Sequence, residues 1–262
     1  MRVLIFCGGL GTRIRDVAEN IPKPLVDVGG RPILWHIMKL YAHHGFRSFV
    51  LLLGYKGTAI KDFFLSYETR MNDCTLHLGR PDELEVHGVL PEADWTITLA
   101  DTGLEAQTGA RLARGARYLD ADEDLLVTYG DGVADVDLQA LVAFHRSHGK
   151  LATLTGVRPP GRFGELEVEG SRVTQFNEKP QTSGGLINGG FFVFKRAFLD
   201  RYLRGAKDLT KLEVEPLQAA ARDGELMVFP HHGFWQPMDT HREWLLLNEL
   251  WRTGAPWKVW KD

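Results

Sequence analysis

A glycine-rich segment directly after an apolar run is the feature of this sequence that most clearly points to chemistry. The run Val3-Leu4-Ile5-Phe6-Cys7 is followed by Gly8-Gly9-Leu10-Gly11-Thr12-Arg13. Glycines let the backbone approach a ligand closely, and successive N–H groups can bind a phosphate. The segment is neither a Rossmann fingerprint, since Ile14 stands where the third glycine belongs, nor a P-loop, since no Gly-Lys-Ser/Thr follows. The glycines alone fit a plain turn equally well.

A lysine between two prolines follows this segment. Pro22-Lys23-Pro24 ends any helix that starts near Thr12, because neither proline is tolerated in a helix interior. Lys23 therefore lies at the end of a long loop, where a fixed cation can offset phosphate charge. Together with Arg13, it favours a phosphate-binding function over a surface turn.

Two aspartates are candidates for a magnesium site. Asp131 lies in Gly130-Asp131-Gly132, directly after the apolar run 125–129, and ligands of open α/β sheets bind outside the carboxyl ends of strands. Asp239 follows Pro237 in a non-helical segment. Mg²⁺ usually takes one or two protein carboxylates and keeps several waters. The simpler explanations are an Asp-Gly turn at Asp131 and a helix N-cap at Asp239, and for Asp239 both roles are compatible.

Other polar groups could bind a second anion or sugar hydroxyls. Lys179 stands before Pro180 and so lies in extended backbone, where it could bind an anion. Glu178 and Asn188 could bind hydroxyls. Thr108-Gly109-Ala110-Arg111 is a further candidate anion contact, predicted at a helix start. Taken singly, each of these is more often a salt-bridged surface group.

The elements that must position these residues alternate between strands and helices. Apolar runs without alternation predict strands at 3–7, 49–53, 125–129, 152–157 and 190–194. Helical periodicity is found at 32–44, 58–66 and 138–145. This order predicts an α/β fold in one domain, 1–262: a Rossmann-like, mostly parallel sheet with helices on both faces.

Period-two alternation breaks this rhythm in the region of residues 72–100. It occurs in three short stretches, 74–78, 84–86 and 95–99. The pattern predicts a small antiparallel ribbon inserted in the domain. The segment from Trp235 contains five tryptophans and predicts a packed C-terminal helical segment, about 239–262, rather than an aromatic binding site.

Composition excludes several classes of protein. The 262 residues carry 31 Lys+Arg and 34 Asp+Glu, so that the net charge is 31 − 34 = −3. This balance argues against a protein that coats nucleic acid. Two distant cysteines argue against a disulfide scaffold, and no apolar run approaches a membrane span. We expect a cytoplasmic protein that binds neither nucleic acid nor membrane.

The motifs in this order resemble those of the sugar-1-phosphate nucleotidyltransferases, and the later ones resemble the cytidylyltransferase branch. The resemblance spans nearly the whole chain. The motifs are Gly8–Arg13, Pro22-Lys23-Pro24, Ile33–Met38, Gly54–Gly57, Asp101–Gly103, Tyr129–Asp135, Pro159–Gly164, Glu178-Lys179-Pro180, Ile187–Phe192 and Gly233–Thr240.

The resemblance implies a reaction: CTP and α-D-glucose 1-phosphate give CDP-glucose and pyrophosphate, with Mg²⁺ bound by Asp131 and Asp239. It implies catalytic roles for Arg13, Lys23 and Asp131, and a homohexamer. It places Glu178, Lys179, Asn188 and Gly189 on the sugar-phosphate side. The implied nucleotide-binding residues are Phe6, Cys7, Gly8, Gly9, Leu10, Gly11, Thr12, Arg13, Lys23, Thr108, Gly109, Arg111 and Gly130.

Some positions depart from the family pattern. Cys7 stands where alanine is usual, Ala110 stands where glycine is usual, and Leu212 replaces the tryptophan of a Thr-x-Trp-Glu-x-Glu-Pro motif. A UTP- or dTTP-dependent enzyme, or a cytidylyltransferase for another sugar 1-phosphate, therefore stays open. Two other classes fit less well: a Rossmann oxidoreductase, because the third glycine is missing, and a non-catalytic binding protein, because the charged residues are intact.

Overall fold

The central sheet of the computed structural model is formed by strands that are buried along most of their length. The structure describes residues 1–11, 21–80, 83–121, 123–159, 165–169, 172–177 and 185–261. The strands of this part of the chain are β1 (Val3–Cys7), β2 (Asp27–Val28), β3 (Arg31–Pro32), β4 (Ser48–Leu53), β5 (Asp73–Leu76), β6 (Leu84–His87), β7 (Thr96–Asp101), β8 (Leu125–Tyr129), β9 (Gly132–Ala134), β10 (Ala152–Val157), β11 (Glu165–Glu169), β12 (Arg172–Asn177), β13 (Ile187–Phe194), β14 (Leu226–His231) and β15 (Trp235–Pro237).

The helices cover this sheet and connect its strands. In the same described ranges they are α1 (Ile33–His43), α2 (Gly57–Leu65), α3 (Tyr67–Met71), α4 (Thr108–Gly115), α5 (Leu138–His148), α6 (Arg196–Tyr202), α7 (Glu215–Arg222) and α8 (His241–Thr253). Each strand run named from the sequence overlaps a strand, and each helical run overlaps a helix. The α/β prediction is confirmed.

Seven strands form one sheet in the order β14-β10-β13-β8-β1-β4-β7. β1 is parallel to both of its neighbours, β4 and β8, and only β13 runs antiparallel to its neighbours in this sheet. The carboxyl ends of β1, β4 and β8 therefore lie at one edge. The glycine-rich segment after β1 and the Asp131 turn after β8 meet there.

Both faces of the sheet are buried, which explains why its strands lack polar alternation. Along β1, Val3 and Ile5 face one apolar cluster, and Leu4 and Phe6 face the other. Helices α1, α5 and α8 contribute to the first cluster, and helices α4, α6 and α7 contribute to the second. The prediction of helices on both faces is confirmed.

The predicted ribbon is smaller than its sequence pattern suggested. β5 and β6 form a two-stranded antiparallel ribbon, but the third stretch, 95–99, was assigned wrongly. It belongs to β7, which pairs in parallel with β4 at the edge of the central sheet. Ile97 and Leu99 are packed partly against the first apolar cluster, while Thr96 is exposed. Ala100, on the same face as Thr96, is buried in the second apolar cluster, so the period-two pattern of an edge strand does not by itself distinguish it from a ribbon strand.

The tryptophans near the C-terminal helix divide into two groups. Trp257 and Trp260 are buried in the first apolar cluster, and Trp244 and Trp251 on α8 pack against it. The prediction of a packed terminal segment is confirmed for these four. Trp235 also packs against this cluster, but it lies on β15 rather than in the terminal helix, and it lines a cleft. None of the described helices combines the length and the apolar character that crossing a bilayer requires.

His36 on α1 is buried among these tryptophans in its neutral form. One ring nitrogen, Nε2, lies 2.8 Å from the carbonyl oxygen of Val28, and Nδ1 lies 3.3 Å from the indole Nε1 of Trp257. Because a carbonyl only accepts and an indole N–H only donates, Nε2 carries the proton and Nδ1 accepts. Protonation of Nδ1 would place two donors face to face. Burial lowers the pKa of His36 to about 4.

We therefore expect the free energy of unfolding to fall as the pH drops from about 6.5 toward about 4. Unfolded His36 binds a proton in this range and folded His36 does not, so that acid favours the unfolded chain. The loss from this one residue should be about 2 kcal/mol at pH 5. Urea unfolding at pH 8 and pH 5, in wild type and His36→Gln, measures it. An equal pH dependence in the two proteins would contradict the assignment to His36.

Candidate active site

A close approach between two strand ends brings the glycine-rich segment next to Asp131. The N–H of Gly130 donates to the carbonyl of Phe6 over 3.1 Å, which extends the pairing of β8 with β1. A Cβ on Gly130 would lie only 2.6 Å from that carbonyl oxygen. Glycine is thus required at position 130 on steric grounds, and the turn after it delivers Asp131 to the same edge.

A second short pairing brings Asp239 to Asp131. β9 and β15 pair antiparallel with Gly132 opposite Pro237, and the N–H of Met238 donates to the carbonyl of Asp131 over 2.8 Å. Helix α8 then begins with a capping box in which Thr240 is the N-cap and Glu243 closes it. Asp239 is therefore not the N-cap, and that simpler explanation for it is wrong.

Lys23 joins the two aspartates. Its ammonium lies 2.6 Å from a carboxylate oxygen of Asp131 and 2.6 Å from one of Asp239. Pro22 and Pro24 flank it in a short 3₁₀ turn, and its side chain is 12% exposed. Burial alone would lower the pKa of Lys23, but the two carboxylates outweigh burial and raise its pKa above the ordinary value. Lys23 is therefore a permanent cation.

The two carboxylates suit a divalent cation. The Lys23 ammonium shows that one cation can contact both, and carboxylate oxygens are the ligands that hard divalent ions prefer. Among the described residues, no three or more His, Cys, Asp or Glu side chains converge on one point. An ion held here would complete its coordination with substrate oxygens or water, as Mg²⁺ commonly does.

Two clefts meet at these charges. The smaller, of about 380 Å³, lies over the glycine-rich segment and the start of α4. The larger, of about 900 Å³, lies between β13, β15 and the start of α8. Both are lined by Tyr129, Asp131 and Asp239, so that a molecule in one cleft would face a molecule in the other across these three residues.

The structure separates most of the predicted site residues between the two clefts. Asn188 and Gly189 line the larger cleft. Thr12, Arg13, Glu178 and Lys179 lie outside the described residues. The predicted nucleotide-binding residues that line the smaller cleft are Phe6, Gly8, Gly9, Leu10, Gly11, Lys23, Thr108, Arg111 and Gly130.

Cys7 and Gly109 were predicted as nucleotide contacts, and neither lines a cleft. Cys7 is buried, and burial, reinforced by Asp131, raises the pKa of its thiol, so that it stays neutral. Gly109 on α4 packs against the 210–212 segment, where a Cβ would lie 2.9 Å from the carbonyl oxygen of Thr210. In the structure both residues support the cleft from behind.

Arg111 reaches the smaller cleft but is bound to the protein itself. Its buried guanidinium donates to the carbonyls of Gly8, Leu53, Gly103 and Leu104 and to the hydroxyl of Thr102. A Cβ on Gly8 would come within 2.3 Å of this guanidinium. Arg111 therefore fixes the glycine-rich segment relative to the ends of β4 and β7.

Sequence reasoning missed several cleft residues. Tyr129, the wall between the clefts, stands directly before Gly130-Asp131, and its place at the end of a buried strand was the available signal. Trp235 and Arg242 line the larger cleft. Glu213, which binds Tyr129, follows Leu212 in the motif noted above, and its role depends on a tertiary contact that the sequence does not show.

Comparison with known proteins points to one family. A family model described as nucleotidyl transferase matches residues 2–253. Glucose-1-phosphate cytidylyltransferase of Salmonella typhi is 49% identical over 262 residues, 100% of both chains. Probable glucose-1-phosphate cytidylyltransferase of Bacillus subtilis is 44% identical over 99% of this chain and 100% of its own.

The fold is also that of a solved structure. The crystal structure of HddC from Yersinia pseudotuberculosis matches with a TM-score of 0.67 over 95% of this chain and 99% of its own, at 21% identity. This likeness concerns the fold alone. From the family model and the full-length relatives, the chain belongs to the nucleotidyl transferase family.

Proposed function

We propose that this protein is a glucose-1-phosphate cytidylyltransferase, which converts CTP and glucose 1-phosphate to CDP-glucose and pyrophosphate. The full-length relatives that carry this name support the choice of substrates. The observation that carries the reaction type is the meeting of two clefts at Asp131, Asp239 and Lys23. A transferase that joins two anions needs two adjoining sites with a cation between them.

The clefts suit different substrates. The smaller one is bounded by the glycine-rich segment and Lys23, which fit the phosphates of a nucleoside triphosphate. The larger one is lined by the amide of Asn188 and by the indole of Trp235, which fit a sugar. The indole N–H of Trp235 donates a hydrogen bond to the carbonyl of Gly189 over 2.8 Å, which fixes the ring. We assign CTP to the smaller cleft and glucose 1-phosphate to the larger.

The reaction then needs positioning and charge more than a nucleophile. A phosphate oxygen of glucose 1-phosphate attacks the α-phosphorus of CTP, and the bond to pyrophosphate breaks on the opposite side. The neutral, buried Cys7 takes no part. Lys23 offsets negative charge where the clefts meet, and electrostatic stabilisation of this kind is a large term in catalysis. Arg13, Glu178 and Lys179 keep their predicted roles on the two substrates.

The cation between the carboxylates is proposed to be Mg²⁺. Nucleotidyltransferases of this family commonly use a divalent metal. Asp131 and Asp239 would hold the ion, which would draw charge from the phosphate oxygens. Lys23 binds the same two carboxylates and offsets their mutual repulsion, so that a divalent ion that binds both competes with its ammonium.

The direct test is release of pyrophosphate from each of CTP, UTP, dTTP and GTP with a panel of sugar 1-phosphates. We expect CTP with glucose 1-phosphate to give the highest kcat/KM. Another nucleotide or another sugar 1-phosphate in first place would correct the substrate. No pyrophosphate release from any pair would reject the transferase assignment.

Asp131→Asn and Asp239→Asn should each lower kcat by roughly 10² or more, because each removes a charge that holds the cation. The double variant should be little worse than either single variant, since one shared ion is lost only once. Steady-state kinetics across a Mg²⁺ series measures this. Asp137→Asn, at the N-cap of α5, is the matched control and should be near wild type. Two modest losses that simply add would contradict a shared ion.

We also propose that the protein assembles into a homohexamer through the β5–β6 ribbon. A two-stranded ribbon is marginal in water on its own. Apolar side chains on its strands, Leu76 and Leu84, and within two residues of their ends, Leu78 and Val89, are nevertheless exposed in the single chain. Contact with another subunit would bury them.

Replacing Leu76 and Leu78 together with Ser should lower the molar mass measured by light scattering. Both side chains are more than half exposed, so the chain itself loses little packing. Leu209→Ser, at an exposed leucine outside the ribbon, is the control and should leave the mass unchanged. An unchanged mass in the ribbon variant, with the fold retained, would contradict this interface.

A further inference from the structure

The carboxylate of Glu213 lies between two side chains that come from distant parts of the chain. The hydroxyl of Tyr129 donates to its Oε1 over 2.5 Å, and the hydroxyl of Thr108 donates to its Oε2 over 2.6 Å. The N–H of Leu212 donates to the oxygen of Thr108 over 2.9 Å, so the hydroxyl proton of Thr108 is committed to Glu213. Each carboxylate oxygen thus fixes one hydroxyl.

The two hydroxyls belong to different clefts. Thr108, the first residue of α4, lines the smaller cleft, whereas Tyr129 lines both. On the side of the larger cleft, the amide nitrogen of Asn188 lies 3.5 Å from the Tyr129 hydroxyl. One polar chain therefore runs from Thr108 through Glu213 and Tyr129 toward Asn188.

The interactions are of a kind that fixes side-chain position. Hydrogen bonds from a neutral donor to a charged acceptor are shorter and stronger than those between neutral groups. The contact of 2.5 Å from the Tyr129 hydroxyl to the Glu213 carboxylate is of this short kind. Tyr129 is thus held in one orientation at the wall between the clefts.

Packing alone does not require this side chain. The neighbouring Leu212 is fully buried in the second apolar cluster and anchors the segment. Glu213 itself is only half-buried. Its carboxylate serves the two hydroxyls rather than the core.

We propose that Glu213 is a positioning residue that couples the two substrate clefts. It fixes Thr108 at the lining of the nucleotide cleft and Tyr129 between the clefts, so that occupation of one cleft favours binding in the other. This inference rests on the proposed function for the identity of the two substrates.

Glu213→Gln is the principal test. Its amide oxygen can still accept from Tyr129, but its amide group offers a donor to Thr108, whose hydroxyl proton then loses its acceptor. We expect KM for CTP to rise about tenfold, because the hydrogen bond that positions Thr108 at the nucleotide cleft is lost. Tyr129→Phe removes the hydrogen bond from Tyr129 to Glu213 and should chiefly raise KM for glucose 1-phosphate. Glu215→Gln, two residues along and exposed, should match wild type.

The coupling itself is measured by binding. Calorimetry gives the affinity for glucose 1-phosphate with and without α,β-methylene-CTP, an analogue that cannot react. We expect the analogue to tighten sugar-phosphate binding about tenfold in wild type and in Glu215→Gln, and to have no effect in Glu213→Gln. A purely structural role for Glu213 would lower stability and leave this ratio unchanged.

A second pair of variants tests the same contact from the other side. Thr108→Ser keeps the hydroxyl and should behave as wild type, whereas Thr108→Ala should reproduce the CTP effect of Glu213→Gln. Equal KM values and equal coupling in Glu213→Gln and Glu215→Gln would overturn the inference, as would a Thr108→Ala variant that binds CTP normally. No turnover in wild type would instead reject the proposed function.

Discussion

The contact of one ammonium with two carboxylates is the interaction on which the rest of the site depends. Asp131 and Asp239 come from distant segments, and without a cation between them their charges would repel. Three local features bring them together: the close approach at Gly130, the short pairing of β9 with β15, and the prolines around Lys23. A partly buried ion pair adds little to stability because desolvation opposes the attraction. In the proposed function, its value is that it keeps two carboxylates side by side, where a divalent cation would bind.

A second constraint lies behind the glycine-rich segment. Arg111 donates to four carbonyls and one hydroxyl at the edge of the sheet, and its guanidinium needs the space that Gly8 leaves. A Cβ on Gly9, by contrast, would meet no atom within 4 Å, and Gly11 has a φ of +59°. The glycines of this segment therefore serve two purposes: Gly8 admits Arg111 from inside the protein, and Gly9 leaves the outer surface open to a ligand. A sequence pattern treats them alike.

The sequence predicted the features that depend on local patterns. Continuous apolar runs indicated strands covered on both faces, and the strand-end rule placed Asp131 at the ligand-binding edge. Sequence reasoning failed where the outcome depends on the partner of a strand: β7 alternates as a ribbon strand does, yet it pairs in parallel with β4 in the central sheet. Local periodicity carries no sign of contacts between residues that are far apart in the sequence. Examples are Tyr129 with Glu213, 84 residues apart, and Lys23 with Asp131, 108 residues apart. They could be found only from the fold.

The substitution at Leu212 illustrates how a change in the core can reach the substrates. Related motifs carry tryptophan at this position, next to the glutamate, but Leu212 is buried in the second apolar cluster and lines neither cleft. Leu212 itself therefore contacts neither cleft directly. A different side-chain volume there can shift the backbone that carries Glu213, because the Leu212 N–H also binds the hydroxyl of Thr108. Under the role proposed for Glu213, an effect of this position on substrate choice would pass through the hydrogen bonds of Glu213, so that packing and specificity would be linked at the wall between the clefts.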